Sequence, residues 1–289
     1  MKLKGRTCIV TGATGGLGGH LALHFWREGA SLLLTGRNAT ALQALAASFP
    51  PAPHADQKLA TFCGDLAAQG VAEKLVAKAK QEFAALTILV NNAAIQGPIG
   101  AIWENDLREW EETIRLNLVV PATFCALVLP WMVSKSYGKI INISGGGGTA
   151  GRARFSAYAA AKAGLVRLTE TFAQETGTEG VDVNAIAPGV MYTQMSKQVL
   201  AAGPDRAGSS EYKKTQEQER VGDAAFRKAV ELAAFLASCE SDGITGRLIS
   251  AVWDNWQELP RHRAELKESD IYTLRRIVPK DRGLDWDGK

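Results

Sequence analysis

Cysteine and histidine are scarce in this chain, four of each among 289 residues. Cys8, Cys63, Cys125 and Cys239 lie far apart with no Cys-x-x-Cys pair, and the histidines show no His-Glu-x-x-His spacing. That scatter excludes a disulfide framework and a zinc-type ligand set, so no resident metal is expected. Free, buried thiols suit a reducing compartment. Charge of one sign is also missing: 33 Lys and Arg face 30 Asp and Glu, a net +3 with no basic cluster, which argues against a nucleic-acid partner. Long hydrophobic runs are few. The greasiest, Leu116 to Val133, is broken by Asn117, Thr123, Pro121 and Pro130 and reads as a buried core helix rather than a membrane span. Met1 to Arg6 leads straight into a strand-like segment without a signal peptide's apolar region, so a cytoplasmic location is expected.

What the chain does have is ordinary globular composition, 46% apolar and 22% charged, at a length that supports one extensive core. Short aliphatic runs read as strands: Thr7–Thr11, Ser31–Thr35, Lys58–Cys63, Ile88–Asn91, Lys139–Ile143, Asp182–Ile186 and Arg247–Val252. Amphipathic stretches alternate with them near Gly16–Glu28, Ala39–Ser48, Gln69–Ala84, Asp106–Ser134, Ser156–Thr176 and Ala224–Ser238. Continuously apolar strands alternating with helices predict a doubly wound α/β fold, one parallel sheet of about seven strands with helices on both faces. Two segments break the rhythm. Residues 192–223 are polar and read as a mobile excursion. Residues 253–289 mix charges with Trp253, Trp256, Tyr272 and Trp286, enough apolar mass for an arm that packs on its own subunit or a neighbour.

The first strand runs into Thr11-Gly12-Ala13-Thr14-Gly15-Gly16-Leu17-Gly18. Glycines between a strand and a helix let the backbone approach a pyrophosphate, and they aim the helix N-terminus at it. The second strand ends in Gly36-Arg37-Asn38 without a carboxylate. An acidic residue there would bond the ribose of NAD, whereas Arg37 can clamp the 2′-phosphate of NADP. NADP(H) is therefore favoured, with NAD left open. In Tyr158-Ala159-Ala160-Ala161-Lys162, the four-residue spacing puts phenol and ammonium on one helix face. A nearby cation favours the phenolate, and a phenol so tuned exchanges a proton with a carbonyl oxygen.

Together these motifs resemble the short-chain dehydrogenase/reductase family, classical subgroup, from about Arg6 to Val252. Asp65-Leu66 is similar to the family's adenine-contacting pair, and Asn91-Asn92-Ala93-Ala94 to its Asn-Asn-Ala-Gly segment. Asn117, the Tyr158/Lys162 pair, and Pro188-Gly189-Val190 with Thr193 follow in order. The glycine spacing also fits the extended subgroup of nucleotide-sugar epimerases, but only a short lid and a 37-residue tail are available for a substrate domain. The resemblance implies a single Rossmann-type domain over 1–252, strand order 3-2-1-4-5-6-7, a substrate lid over about 192–223, a C-terminal extension over 253–289, and a homodimer or homotetramer. It implies Tyr158 as proton donor and acceptor, with Lys162 holding the nicotinamide ribose and lowering the tyrosine's pKa. Asn117 would place a relay water, and Val190 and Thr193 would meet the carboxamide.

One departure stands out. Thirteen residues before Tyr158, where the family has a serine, this chain has Gly145, within Ser144-Gly145-Gly146-Gly147-Gly148. Ser144 would nominally face away, but the glycine run can swing it inward. Arg152 and Arg154 precede Tyr158 on the same loop, either as solvated charges or as a bidentate site for a carboxylate or phosphate of the substrate. The expected activity is NADP(H)-dependent interconversion of a ketone and a secondary alcohol, on a 3-oxoacyl-like compound, a sugar or another small oxo compound. The competing expectation is a dinucleotide sensor or scaffold with weakened catalysis.

Overall fold

A computed structural model describes residues 1–219 and 224–286. Among them seven strands form one parallel sheet: β1 (Thr7–Val10), β2 (Ser31–Gly36), β3 (Leu59–Cys63), β4 (Ile88–Asn91), β5 (Gly138–Ile143), β6 (Val181–Ala187) and β7 (Leu248–Ser250). Their order is β3-β2-β1-β4-β5-β6-β7, with Cys8 beside both Leu32 and Ile88, and Ile141 beside Asn184. Helices α1 (Gly16–Arg27), α2 (Ala39–Ala47), α3 (Val71–Glu82), α4 (Leu107–Ile114), α5 (Val120–Val133), α6 (Ser156–Glu175), α7 (Gln194–Ala207), α8 (Ser209–Glu219), α9 (Ala224–Ala237) and α10 (Arg263–Glu268) fill the connections.

Alternation along each strand splits the core into two layers. Cys8 and Val10 pack with Leu21 and Phe25 of α1 and with Leu232 and Phe235 of α9. Ile9, Leu33 and Leu89 face the other way, onto Leu75 of α3 and Phe124 and Val128 of α5. The apolar run from Leu116 therefore covers the sheet. It belongs to the one stretch among the described residues, Leu107–Val133, that is long and apolar enough to span a bilayer by length and composition. Where a single helix was expected, α4 and α5 are joined by a π-helical turn, Arg115–Val119. Pro121, lacking an N–H, follows directly on this π-helical turn at the start of α5.

Two further expectations change. The excursion after Tyr192 is helical: α7, bent at Gly203 (φ 75°), then α8; residues 220–223 of the expected lid lie outside the described residues. Of the four free thiols only Cys8 and Cys125 are buried, while Cys63 and Cys239 are exposed. In the tail, Trp256, Leu259 and Leu266 join the α1/α9 core. Arg247 donates to the carbonyls of Ser269 and Ile271, and the Leu248 amide donates to Tyr272. Beyond Leu274, Ile277, Leu284 and Trp286 are exposed.

Candidate active site

Strand order reverses between β1 and β4, and the carboxyl ends of an open parallel sheet form a crevice at such a point. A cavity of about 690 Å³ opens there, walled by the segments that leave β1 through β6 and by α7 and α8. Of the sequence-predicted residues, Gly12, Thr14, Gly15, Gly16, Leu17, Arg37, Asp65, Leu66, Asn92, Ala93, Ala94, Ser144, Tyr158, Lys162, Pro188, Gly189, Val190 and Thr193 line it. Gly18 and Asn117 do not line it.

Gly18 supports the turn from below. A Cβ there would meet the Gly12 carbonyl oxygen at 2.2 Å and Ala13 Cα at 2.9 Å. Gly12 has φ 65°, and a Cβ on it would lie 2.8 Å from Ala93 Cα, so strand and turn approach at glycine distance only. Asn92 fastens them, donating from Nδ2 to the carbonyls of Thr11 and Gly12 at 2.9 and 3.1 Å. Its side chain thus shapes the cradle from within the chain. Gly15 to Leu17 present the start of α1 to the cavity without a carboxylate in its first turn. Arg37 stands exposed at the end of β2, again without a carboxylate partner among the described residues. A bare backbone cradle, a helix N-terminus and a guanidinium fit a phosphorylated dinucleotide.

Asn117 is fully buried on the π-helical turn. Its Oδ1 accepts from the Ile95 amide at 2.9 Å and its Nδ2 donates to the Ile95 carbonyl at 2.8 Å. The side chain is therefore committed to holding the loop after β4. The next residue, Gln96, carries no sequence motif. Yet it lines the cavity, almost wholly buried, with its Nε2 lacking any hydrogen-bond acceptor.

Tyr158 and Lys162 share the buried face of α6, but their electrostatics differ from the expectation. Lys162 Nζ donates to the Ile143 carbonyl at 2.7 Å and lies 5.5 Å from the Tyr158 ring centroid. Burial pushes the lysine down to about 8, where it gains and releases protons near neutrality. Burial pushes the Tyr158 phenol up, and the cation that pulls it back is Arg152, not Lys162. The same desolvation that raises the tyrosine disfavours the charged form of Lys162.

Gly145 sits directly against the tyrosine: a Cβ there would be 2.8 Å from Tyr158 Oη. Ser144, one residue earlier, is 3% exposed, and its Oγ lies under Gly148, 2.7 Å from where a Cβ would stand. That hydroxyl has no partner, so it lines the cavity without bonding Tyr158. Arg154 leaves the site altogether, donating to the Asp205 carbonyl at 3.1 Å from a left-handed backbone (φ 72°). Arg152 stays in the cavity wall but is already paired with Glu211 of α8, its Nε donating to Oε1 at 3.0 Å. Neither arginine is the free anion clamp the loop sequence suggested.

Comparison with known proteins places this site in context. A family model described as short chain dehydrogenase matches residues 6–203. The chain is similar to a 3-oxoacyl-[acyl-carrier-protein] reductase of Thermotoga maritima, 29% identical, covering 86% of this chain and 97% of the relative. It is also similar to a D-beta-hydroxybutyrate dehydrogenase of Cupriavidus necator, 31% identical over 87% and 96% of the two chains. Among solved structures, levodione reductase superposes with a TM-score of 0.76 at 25% identity, over 90% of this chain and 99% of that one.

Proposed function

Since this chain belongs to the short-chain dehydrogenase family, an NAD(P)-dependent oxidoreductase family acting on CH–OH and C=O groups, we propose that it is an NADP(H)-dependent reductase/dehydrogenase with Tyr158 as its proton-transferring group. The observation that carries this reading is the pairing of Tyr158 and Lys162 at the floor of a cavity whose far end is the glycine cradle and Arg37. When bound, the nicotinamide supplies or takes up the hydride. The protein's part is orientation and the proton. Tyr158 Oη faces the space beside Gly145 and gives its proton to the carbonyl oxygen, or takes it from the alcohol in the reverse direction. Lys162, near 8 and anchored on the Ile143 carbonyl, restores that proton through water held at the Asn117 main chain. Ser144 supplies the second donor to the substrate oxygen by turning its unpartnered hydroxyl out from under Gly148.

The substrate reading is a small oxo compound bearing a second oxygen, of the 3-oxoacyl type. The two relatives named above both act, by their names, on acyl groups oxygenated at the third carbon. The unsatisfied Gln96 amide supplies a donor for that second oxygen. Helices α7 and α8 roof this end of the cavity with Met195, Val199 and Lys214, in the position of a substrate lid. A homodimer or homotetramer is the assembly this reading carries with it.

The test is consumption of NADPH with 3-oxoacyl thioesters, 3-oxo acids and neutral ketones. Binding of NADPH without turnover of any of them would leave a cofactor sensor instead. Two variants refine it. Arg37→Asp removes the phosphate's cation and adds a ribose acceptor, so the kcat/KM ratio for NADPH over NADH should fall at least about tenfold, the worth of one good charged contact. An unchanged ratio would show that Arg37 does not read the 2′-phosphate. Ser144→Ala should lower kcat by about 10–10², the worth of one hydrogen bond to a developing charge from a hydroxyl that must first turn. A less than fivefold effect would mean that the hydroxyl stays under Gly148 during turnover.

A further inference from the structure

The glycine run before Tyr158 and the polar helix after Tyr192 meet at one ion pair. Arg152 lies with its guanidinium carbon 3.9 Å from the Phe155 ring centroid and 5.8 Å from that of Tyr158. Glu211, in the first turn of α8, grips it through Oε1. Both side chains are largely withdrawn from solvent, so their charges are screened less than a surface pair's. The glycine run packs along this arrangement, and Gly147 lets the loop approach α6 at Ala159. A Cβ on Gly147 would stand 3.6 Å from Arg152 Cβ and 2.7 Å from that of Ala159, and one on Gly146 would reach Arg152 Cδ at 3.9 Å. The main chain of Glu211 accepts from the hydroxyl of the buried Thr215 at 2.8 Å, and its carboxylate suits the N-terminal turn of a helix.

We propose that Arg152 is the positioning residue for the Tyr158 hydroxyl, and that Glu211 sets how much of its charge the phenol feels, so that the placement of α8 governs the proton-transferring group. The proposal rests on Tyr158 being that group, as argued above. The charged groups beside the tyrosine ring are Lys162 from its own helix and Arg152 from the loop, while Glu211 and Lys214 of α8 line the same cavity. The remaining carboxylate of the cavity wall, Asp65, stands at the end of β3. With Lys162 held on the Ile143 carbonyl, Arg152 is the cation that favours tyrosinate, and Glu211 acts on the phenol through Arg152, by neutralising the guanidinium it is paired with. Opening of α8 would carry Glu211 off and leave the guanidinium uncompensated beside the tyrosine ring. Closure restores the pair.

The experiment is an ultraviolet titration of tyrosinate in the full chain, with the Tyr158→Phe protein subtracted to isolate one of the five tyrosines. Glu211→Gln keeps the acceptor oxygen and removes the charge, so the Tyr158 midpoint should fall by about one pH unit, the scale of a unit charge at this range. Arg152→Met should raise the midpoint by a similar amount, and Arg152→Lys should return it close to that of the parent. Circular dichroism and NADPH binding confirm that each variant keeps its fold. Midpoints that stay put in Glu211→Gln, or that move the same way in Glu211→Gln and Arg152→Met, overturn the proposal. The titration uses no substrate. A protein that shows these opposite shifts yet turns over no carbonyl would therefore lose the functional reading and keep this one.

Discussion

Tyr158→Phe should lower kcat by about 10²–10⁴, the range of a lost general acid, while NADPH affinity changes only a few-fold. The two effects separate because the hydroxyl and the ring do different jobs. The ring packs on α6 and against the Arg152 guanidinium, and phenylalanine keeps that packing. The hydroxyl bonds no other residue among those described and stands where Gly145 leaves open space. Its removal breaks no hydrogen bond within the described residues, so the variant should unfold no earlier than the parent. Burial holds the phenol above its ordinary range, so the parent's alcohol oxidation should climb with pH as tyrosinate forms, and carbonyl reduction should fall over the same interval. In Tyr158→Phe that opposed pH dependence should vanish. Steady-state rates in both directions against pH check it, and a variant retaining more than a tenth of the parent's kcat would remove Tyr158 from the proton's path.

Gly18→Ala should damage both stability and cofactor binding. Its Cβ would fall 2.2 Å from the Gly12 carbonyl oxygen, 2.7 Å from Asn92 Nδ2 and 2.9 Å from Ala13 Cα. Two of these three atoms are backbone and cannot swing aside. The start of α1 must then move off the turn, which disturbs the Asn92 bonds and the seating of Leu17 and Leu21 on the sheet. Overpacking of this kind typically costs about 1–3 kcal/mol, against at most about 1 kcal/mol gained from alanine's helix preference. A net loss of about 2 kcal/mol corresponds to a melting temperature lower by about 4–8 °C. Since the same shift misaligns the phosphate cradle, the NADPH Kd should rise at least about tenfold. Thermal unfolding and NADPH fluorescence titration report the two effects. An alanine variant with unchanged Tm and Kd would show that the helix and turn separate without cost.

Much of this architecture is legible along the chain because it is local. Apolar runs such as Leu32-Leu33-Leu34 mark strands that are covered on both faces, and the strand ends read from sequence fall within two residues of those found. Glycines at 12 and 18 announce a close backbone approach, and the Tyr158/Lys162 spacing announces a shared helix face. What could not be read is of a different kind. Gln96 has no neighbour pattern, and its interest comes from an amide left unsatisfied in a cavity wall. The segment after Tyr192 looked irregular because it is polar, yet α7 and α8 are helices that hold most of their residues outside the core.

The sequence by itself determined the doubly wound sheet, the glycine turn after β1 and the shared helix face of Tyr158 and Lys162, since periodicity and glycine geometry depend on residues a few positions apart. Only the tertiary structure decided which cation acts on Tyr158, where the Ser144 hydroxyl rests, and what occupies Arg152. Those answers depend on distances between groups 59 residues apart in the chain, as Arg152 and Glu211 are, and on the burial that strengthens or weakens each charge, quantities no local pattern carries.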